Sequence, residues 1–396
     1  MPNYLAPDIY VEEVAGGARP IEAVGASTAG FVGVAPNAAA HPNEAVAINN
    51  WMQFVKEYVA DSSASTHLSN AVYGFFQNGG GRCYVVNVGE GKPISGGGKQ
   101  RTGLDVLEQV DEVAIVAAPG FSDAASYDAL LEHCERLEDR VAILDAPAQV
   151  TDIDSLTKVA TAPGGGGANA NAGLRARQSE NGYGAYYFPW LIVRDPLAPG
   201  ALVNAPPSGH VAGIWARTDA ARGVHKAPAN AAVRGALNLT YHVSRAEQAV
   251  LNPAGVNCIR FFGSEGILVW GARTLAAAGS EWRYLNVRRL FNVIKESIAL
   301  NTRWIVFEPN DYTLWKSIRR DIRAFLMVLW RDGALMGRTP DEAFFVKCDE
   351  ETNTPDVVDA GRVVTLIGVA PVKPAEFIVF RLSQYASGSE TQVQGG

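Results

Sequence analysis

Side chains able to do chemistry are present in this sequence, but not at the spacings that chemistry requires. The loop from Gly89 to Gly103, GEGKPISGGGKQRTG, comes nearest to a phosphate cradle. A GxxxxGK[ST] loop needs a turn glycine five residues before its Gly-Lys pair and a hydroxyl after it. Here Gln100 follows Gly98-Lys99 and Pro93 stands at the glycine position, so the stretch reads as a solvated loop. The histidines at 41, 67, 133, 210, 225 and 242 form no HExxH and no paired-ligand spacing for a metal. His133, inside a helical stretch, reads as a surface or core histidine. No GxSxG is present, so no nucleophile elbow is supported. Ser264 in FFGSEG reads as a turn residue, and Asp152 and Asp154 read as capping residues. These readings point away from catalysis, and towards a chain with no cofactor and no metal.

One charge cluster remains. Lys316, Arg319, Arg320 and Arg323 share a face of a predicted helix. They form either a solvated face or an electrostatic contact to an acidic partner surface. Nucleic acid fits poorly, because no aromatic residues interleave with the stripe and the chain carries a net charge of −7. Hydrophobic residues at 47% and charged residues at 19% are ordinary for a globular protein, and 396 residues suffice for two or three domains with a sizeable core. The opening MPNYLAPDIYVEEV lacks the basic and apolar regions of a secretory signal. No apolar run approaches the roughly 20 residues that span a bilayer. Cys83, Cys134, Cys258 and Cys348 are far apart with no CxxC, which suits buried free thiols in a reducing compartment. The expectation is a chain that folds in the cytoplasm and inserts in no membrane.

The elements that must position these residues alternate between strand and helix. Ala29–Pro36 and Cys83–Val88 read as strands, and Ile48–Val59 and Leu68–Gln77 as helices. Val113–Ala117, Tyr127–Leu137 and Val141–Leu144 make a β-α-β unit, which predicts a parallel pairing. Ala160–Gly173 is of low complexity and reads as a loop. Tyr183–Val193 returns to a strand, Gly209–Arg222 reads as a helix, and Val256–Phe262 and Ile267–Trp270 as strands.

The stretch Trp282–Cys348 is the most strongly patterned. Val287, Leu290, Phe291, Ile294 and Ile298 share one helical face, with Arg289, Asn292 and Glu296 on another. Trp304–Phe307 gives a compact buried-strand signal. Asn310 or Asp311 is placed to cap a second helix, whose apolar face is Leu314, Ile318, Ile322, Phe325 and Leu329. Gly333 and Gly337 end it. Strands are predicted at Phe344–Cys348 and Val363–Val369. Both ends of the chain carry extended segments, with Ile9 and Val11 alternating with Tyr10 and Glu12, and Ile378, Phe380 and Leu382 on one face of Phe377–Gln384. An unpaired apolar strand is a liability in a monomer and a means of joining subunits in a polymer.

PDIYVEEVAGGARPIEAVGASTAGFVGVAP resembles the opening of contractile tail sheath proteins, found in phages with contractile tails and in extracellular contractile injection systems. The likeness continues through GFFQNGGGRCYVVNV, is most specific in NCIRFFGSEGILVWGARTL, EWRYLNVRRLFNVIKESI and FEPND…LW…IRR…FL…LWRDGALMG, and closes with GRVVTLIGVAPVKPAEFIVFRLSQ. It is weakest at 151–180, 196–210 and the last ten residues.

The resemblance implies a non-enzymatic structural subunit of α/β (α+β) class. It implies an N-terminal arm and linker over 1–28, an outer α/β domain over 29–202, a sheath core domain with a mixed sheet and two long helices over 203–374, and a C-terminal arm and tail over 375–396. Part of the family's α/β region is subtilisin-like in architecture, but no Ser/His/Asp constellation can be assembled here. By the same resemblance, Ile9, Tyr10, Val11, Glu12 and Val14 belong to the N-terminal arm, and Phe377, Ile378, Val379, Phe380 and Leu382 to the C-terminal arm. Phe344, Phe345, Val346, Val364 and Leu366 belong to strands that receive a neighbour's arm. The helix Leu314–Asp332 faces the inner tube with Lys316, Arg319, Arg320 and Arg323. The implied partners are further copies in stacked hexameric rings, the tube protein, and baseplate and terminal cap proteins, with no nucleic acid bound directly. The implied setting is a phage tail or tail-like particle assembled in the bacterial cytoplasm and released by lysis. The compact outer region leans towards an injection system.

Overall fold

The computed structural model describes residues 20–60, 64–96, 101–161 and 173–379. The first strand, β1 (Ala29–Gly33), is buried along its whole length. After it come β2 (Val46–Ile48), α1 (Trp51–Tyr58), α2 (His67–Gln77), β3 (Cys83–Asn87), α3 (Leu104–Leu107), β4 (Ile115–Ala117), α4 (Ala124–Leu137), β5 (Val141–Asp145) and β6 (Gly184–Phe188). The chain continues through β7 (Leu191–Arg194), β8 (Leu202–Ala205), α5 (Ser208–Arg222), β9 (Ala231–Ala232), β10 (Ala236–Leu239), α6 (Arg245–Leu251), β11 (Val256–Phe262) and β12 (Gly266–Val269). Most of the strands join one nine-stranded sheet in the order β2-β3-β1-β4-β5-β6-β11-β12-β9. Neighbours from β3 to β11 run parallel, and β2, β12 and β9 are antiparallel at the edges. Strands β10, β7 and β8 form a small antiparallel sheet.

Parallel strands are covered on both faces, which is why their sequences are unbroken apolar runs. Phe54, Leu68, Phe75, Val211 and Trp215 of α1, α2 and α5 cover one face. Leu104, Leu107, Tyr127, Leu131 and Leu251 of α3, α4 and α6 cover the other. The helices start at satisfied caps: Thr66 and Ser69 form a capping box on α2, Asp123 caps α4, and Ser244 and Glu247 box α6. The expected β-α-β unit is β4-α4-β5, paired in parallel. The boundary expected at 202/203 falls inside this layered body, since β11 and β12 complete the same sheet and α5 packs on its central strands.

Two element assignments in this layered body need correction. Ile48–Val59 is not one helix: Val46–Ile48 pairs with β3, and the helix begins only after Asn50, whose side chain accepts from Gln53 N. Tyr183–Val193 is two strands that enter different sheets, divided at Pro189, which cannot donate to a ladder.

The C-terminal unit is built on α7 (Leu285–Asn301) and α8 (Tyr312–Arg331), followed by α9 (Pro340–Ala343), β13 (Phe344–Lys347), α10 (Pro355–Asp359) and β14 (Leu366–Val369). Leu290, Ile294, Leu314, Ile318, Ile322, Phe325 and Phe344 form its core. Asp311 caps α8 by accepting from Leu314 N at 2.8 Å. The strand expected at Trp304–Phe307 is absent: Arg303–Ile305 is a single 3-10 turn. Trp304 and Ile305 turn towards the core, while Val306 and Phe307 face out, Phe307 fully exposed at φ 71°. A short apolar run becomes a strand only where a ladder partner exists, and among the described residues none lies beside this turn between α7 and α8.

The polar face of α7 is not a solvent face. Arg289 pairs with Asp219 of α5, both buried, and stacks on Trp215 with the guanidinium 4.8 Å from the ring centroid. Arg288 stacks on Trp282 and Tyr183 at 4.1 and 4.6 Å and donates to Asn292 Oδ1 at 2.9 Å. The helix is thus buried on two sides, against the large sheet's helices and against α8.

His133 and His210 are core residues, with ring nitrogens that have no hydrogen-bond partner. Burial pushes each imidazole down from 6.5 to about 4. Between those values the unfolded chain binds the proton and the fold does not, so their contribution is complete above pH ~6.5 and lost as pH falls towards ~4. Each histidine supplies at most about 1.4 kcal/mol per pH unit of that loss. Calorimetry should show the melting temperature falling more steeply from pH 7 to 5 in the wild type than in His133→Gln/His210→Gln, whatever the variant's absolute stability. Parallel slopes would exclude these two groups as the source.

Candidate assembly interface

Two positions of α7, buried Ser297 and half-buried Asn301, hold the place where the N-terminal segment joins the body. Ser297 Oγ accepts from Val24 N at 3.0 Å, and Asn301 Nδ2 donates to Glu22 O at 3.0 Å. Arg289 donates to Ala26 O at 3.0 Å, and Ile21 enters the C-terminal core. The arm positions Ile9, Tyr10, Val11, Glu12 and Val14 lie outside the described residues.

The C-terminal segment is tied to the same helix. Asn286 Nδ2 donates to Val372 O at 3.0 Å, and Arg273 holds Glu376 through Nε at 2.9 and 3.1 Å and through Nη2. Beyond this pair, Phe377, Ile378 and Val379 are 75%, 73% and 77% exposed and lie in no strand of their own chain. The strand expected from Phe377 is therefore not formed in its described part, and among the described residues it has no ladder partner. Phe380 and Leu382 lie outside the described residues.

Strands β13 and β14 form a two-stranded antiparallel sheet that pairs Phe344 with Val369 and Lys347 with Leu366. Phe344, Val346, Ile367 and Val369 pack on the C-terminal core, while Phe345 and Leu366 are more than half exposed. Among the described residues each strand has one edge without a ladder partner. Val364 precedes β14 and is held by buried Asn353, which accepts from Val364 N at 2.7 Å and donates to Val364 O at 3.1 Å. Phe345 lies across Gly368, where a Cβ would stand 2.1 Å from the ring. Neither Asn353 nor Gly368 stands out in sequence, because each acts on a strand it meets only after folding.

The basic stripe divides into two rows. Arg319 and Arg323 border β13: Arg319 donates to Cys348 O at 3.4 Å, while Arg323 pairs with Asp341 at 2.8 Å and lies over the Phe344 ring. Lys316 and Arg320 are exposed, as are Tyr312 and Val328 elsewhere on the helix. Arg320 also pairs with Asp321 of its own helix at 2.9 Å. Lys316 and Arg320 are therefore the outward pair, a division the four-residue stripe does not reveal.

A cleft of about 520 Å³ opens at the carboxyl ends of β1 and β4, lined by His67, Asn70, Gly120 and Phe121. Beside it Ser208 Oγ donates directly to Asp145 Oδ2 at 2.7 Å, and Ser208 N to Oδ1 at 2.8 Å. The carboxylate occupies the place on the hydroxyl where a nucleophilic serine needs an imidazole. His67 instead packs edge-on against Trp190. Asp152 caps a 3-10 turn by accepting from Asp154 N, as its spacing suggests. The four cysteines are buried and free.

The described residues thus form a layered parallel sheet joined to a helical unit that carries an open-edged two-stranded sheet and a C-terminal segment exposed beyond Glu376. Residues 97–275 match the phage tail sheath protein central domain, and residues 277–384 the phage tail sheath C-terminal domain. The chain is 29% identical over 268 residues to the tail sheath protein of Salmonella phage ViI, covering 65% of this chain and 41% of that one. It thus spans less than half the length of that relative. It superposes on the sheath complex of an extracellular contractile injection system, PVC, in the contracted state, with a TM-score of 0.77 and 29% identity over 97% of this chain and 99% of that one. A chain of the contracted anti-feeding prophage baseplate gives 0.75 and 30% identity over 96% and 99%. The chain belongs to the contractile tail sheath family.

Asn353→Ala removes both hydrogen bonds to Val364 and leaves that backbone unpaired. The expected cost is about 2–3 kcal/mol in urea unfolding, with faster amide exchange across β13 and β14. Unchanged exchange there would mean that the pair is held without Asn353.

Proposed function

We propose that this chain is the sheath subunit of a contractile injection particle. Copies assemble as stacked hexameric rings around an inner tube, exchange terminal strands with their neighbours, and shorten and widen together to drive the tube through a target membrane. One observation carries the reading: an open-edged β13–β14 sheet stands in the same unit that ties down the roots of both terminal segments. A segment fixed at its root and unpaired beyond it, as Phe377–Val379 is, offers a row of backbone donors and acceptors, and an open sheet accepts such a row. In this reading Ile9–Val14 and Phe377–Leu382 are the arms, and Phe344, Phe345, Val346, Val364 and Leu366 receive them.

Each arm contributes a handful of hydrogen bonds worth about 0.5–1.5 kcal/mol net apiece. One arm is weak, but many linked arms keep a lattice connected while its subunits rotate. If the extended state is metastable, tighter packing in the contracted state drives the motion without nucleotide, enzymatic chemistry or cofactor. The tube-facing surface is α8, with Lys316 and Arg320 outward and Arg319 and Arg323 steadying the sheet beside it. Contacts of this polar kind are salt-sensitive, which suits an interface that must let go.

The nearly coextensive match to injection-system chains supports a particle of that kind, and the likeness to a baseplate chain supports contact with baseplate proteins. A terminal cap completes the partners. The subunit binds no nucleic acid directly and enters no membrane. The particle is assembled in the bacterial cytoplasm and leaves by lysis.

Deleting residues 1–14 should leave a folded subunit that forms no tubes in electron micrographs; tubes of normal length from the truncated chain would remove the arm assignment. Lys316→Glu with Arg320→Glu should weaken recruitment to purified tube while leaving the melting curve in place. Undiminished recruitment would return that row to a solvated face.

A further inference from the structure

The segment after β14 crosses from one unit of the subunit to the other. Val372 N donates to Ala334 O at 3.2 Å and Val372 O accepts from Asn286, both in the C-terminal unit. Four residues later, Glu376 is bound to the body of the large sheet through Arg273. Between these points the chain skirts a cleft of about 940 Å³ that Arg245, Arg260 and Trp270 also line.

Arg273 is itself rigidly placed. Its backbone N donates to Asn257 Oδ1 at 2.7 Å, and Asn257 Nδ2 donates back to Arg273 O at 2.8 Å. Asn257 is a buried residue of β11, in the nine-stranded sheet. Arg273 Nη1 donates to Asn252 O at 2.8 Å, so the guanidinium is held in one plane before it meets the carboxylate. A second buried guanidinium, Arg283, binds the carbonyls of Asn252, Pro253 and Ala276 beside it. Glu376 supplies negative charge to a site built from two arginines and neutral carbonyls. Without it, the charge of two largely desolvated guanidiniums is uncompensated.

We infer that Arg273 and Glu376 are positioning residues for the C-terminal arm. Their fork-on-fork contact fixes where the subunit body ends and passes tension on the arm into the nine-stranded sheet. The inference rests on the assignment of Phe377–Leu382 as an arm. The three exposed residues that follow mark the boundary: the chain is held up to Glu376 and released after it. The alternative path for a pull is back along Val372 to β14, where a two-stranded sheet would open one pair at a time. A charge-assisted bidentate bond to a residue fixed by β11 diverts the pull before it reaches that sheet.

Hydrogen exchange on the free, full-length subunit tests the anchor apart from polymerisation. Glu376→Gln and Arg273→Lys should each speed exchange of the amides from 372 to 379 by about tenfold or more, with β5 and β11 unchanged. Lysine keeps the charge but cannot form the two parallel bonds, so a merely electrostatic role would leave Arg273→Lys near the wild type and overturn the geometric claim. Unchanged exchange in both variants would overturn the anchor altogether. In assembled tubes, Glu376→Gln should shorten mean length under shear severalfold, while Glu265→Gln, in an exposed turn, should not. Equal shear resistance would overturn the tension path. A wild type that never forms tubes would count against the sheath reading and leave the exchange result standing.

Discussion

The structure depends on one helix being buried on two sides. Helix α7 lies between the helices of the large sheet and α8, so even Asn286, Arg288, Arg289, Asn292 and Ser297 are desolvated and must find partners. Arg289 meets Asp219 and Trp215 of α5 and reaches back to Ala26 O; Asn286 reaches His225 O and Val372 O; Ser297 receives Val24 N. Removing one member of a buried ion pair such as Arg289–Asp219 typically costs about 3–5 kcal/mol, because the remaining charge is stranded. The bonds that weld the two units also hold the roots of both terminal segments. The geometry of the departing chain ends is therefore coupled to the relative placement of the two units.

The large sheet provides a stiff body around which this joint is made. Its parallel strands are covered on both faces, and Asp145, Ser208 and Gly120 at its carboxyl edge bind one another. Asp145 takes the Ser208 hydroxyl and amide and the Gly120 amide, which pins the start of α5 to β5.

The small C-terminal sheet is the opposite case. Two strands alone are marginal, and this pair is steadied by packing on α8, by Asn353 across its end and by Arg319 and Arg323 along its margin. Phe345 lies over Gly368 and covers part of the outward face. None of these supports closes the edges, and that combination of stiffened strands and open ladder groups suits a sheet completed by other chains.

The sequence by itself determined the periodic elements. The apolar runs of β1, β5 and β6, the faces of α7 and α8, and the Asp311 cap were legible because each rests on neighbours within a few residues. The resemblance carried by NCIRFFGSEGILVWGARTL and the stretch after it was legible for the same reason, being a matter of local order. Tertiary structure alone decided what depended on distant partners. It turned Trp304–Phe307 from strand to 3-10 turn for want of a ladder partner. It buried Arg289 and Asn292 because a second layer covers them, and it carried the large sheet past residue 202. It divided the basic stripe into a row that steadies β13 and a row that faces outward. It brought Arg273 to Glu376 across 103 residues, a pairing set by the course of the folded chain and written in no local spacing.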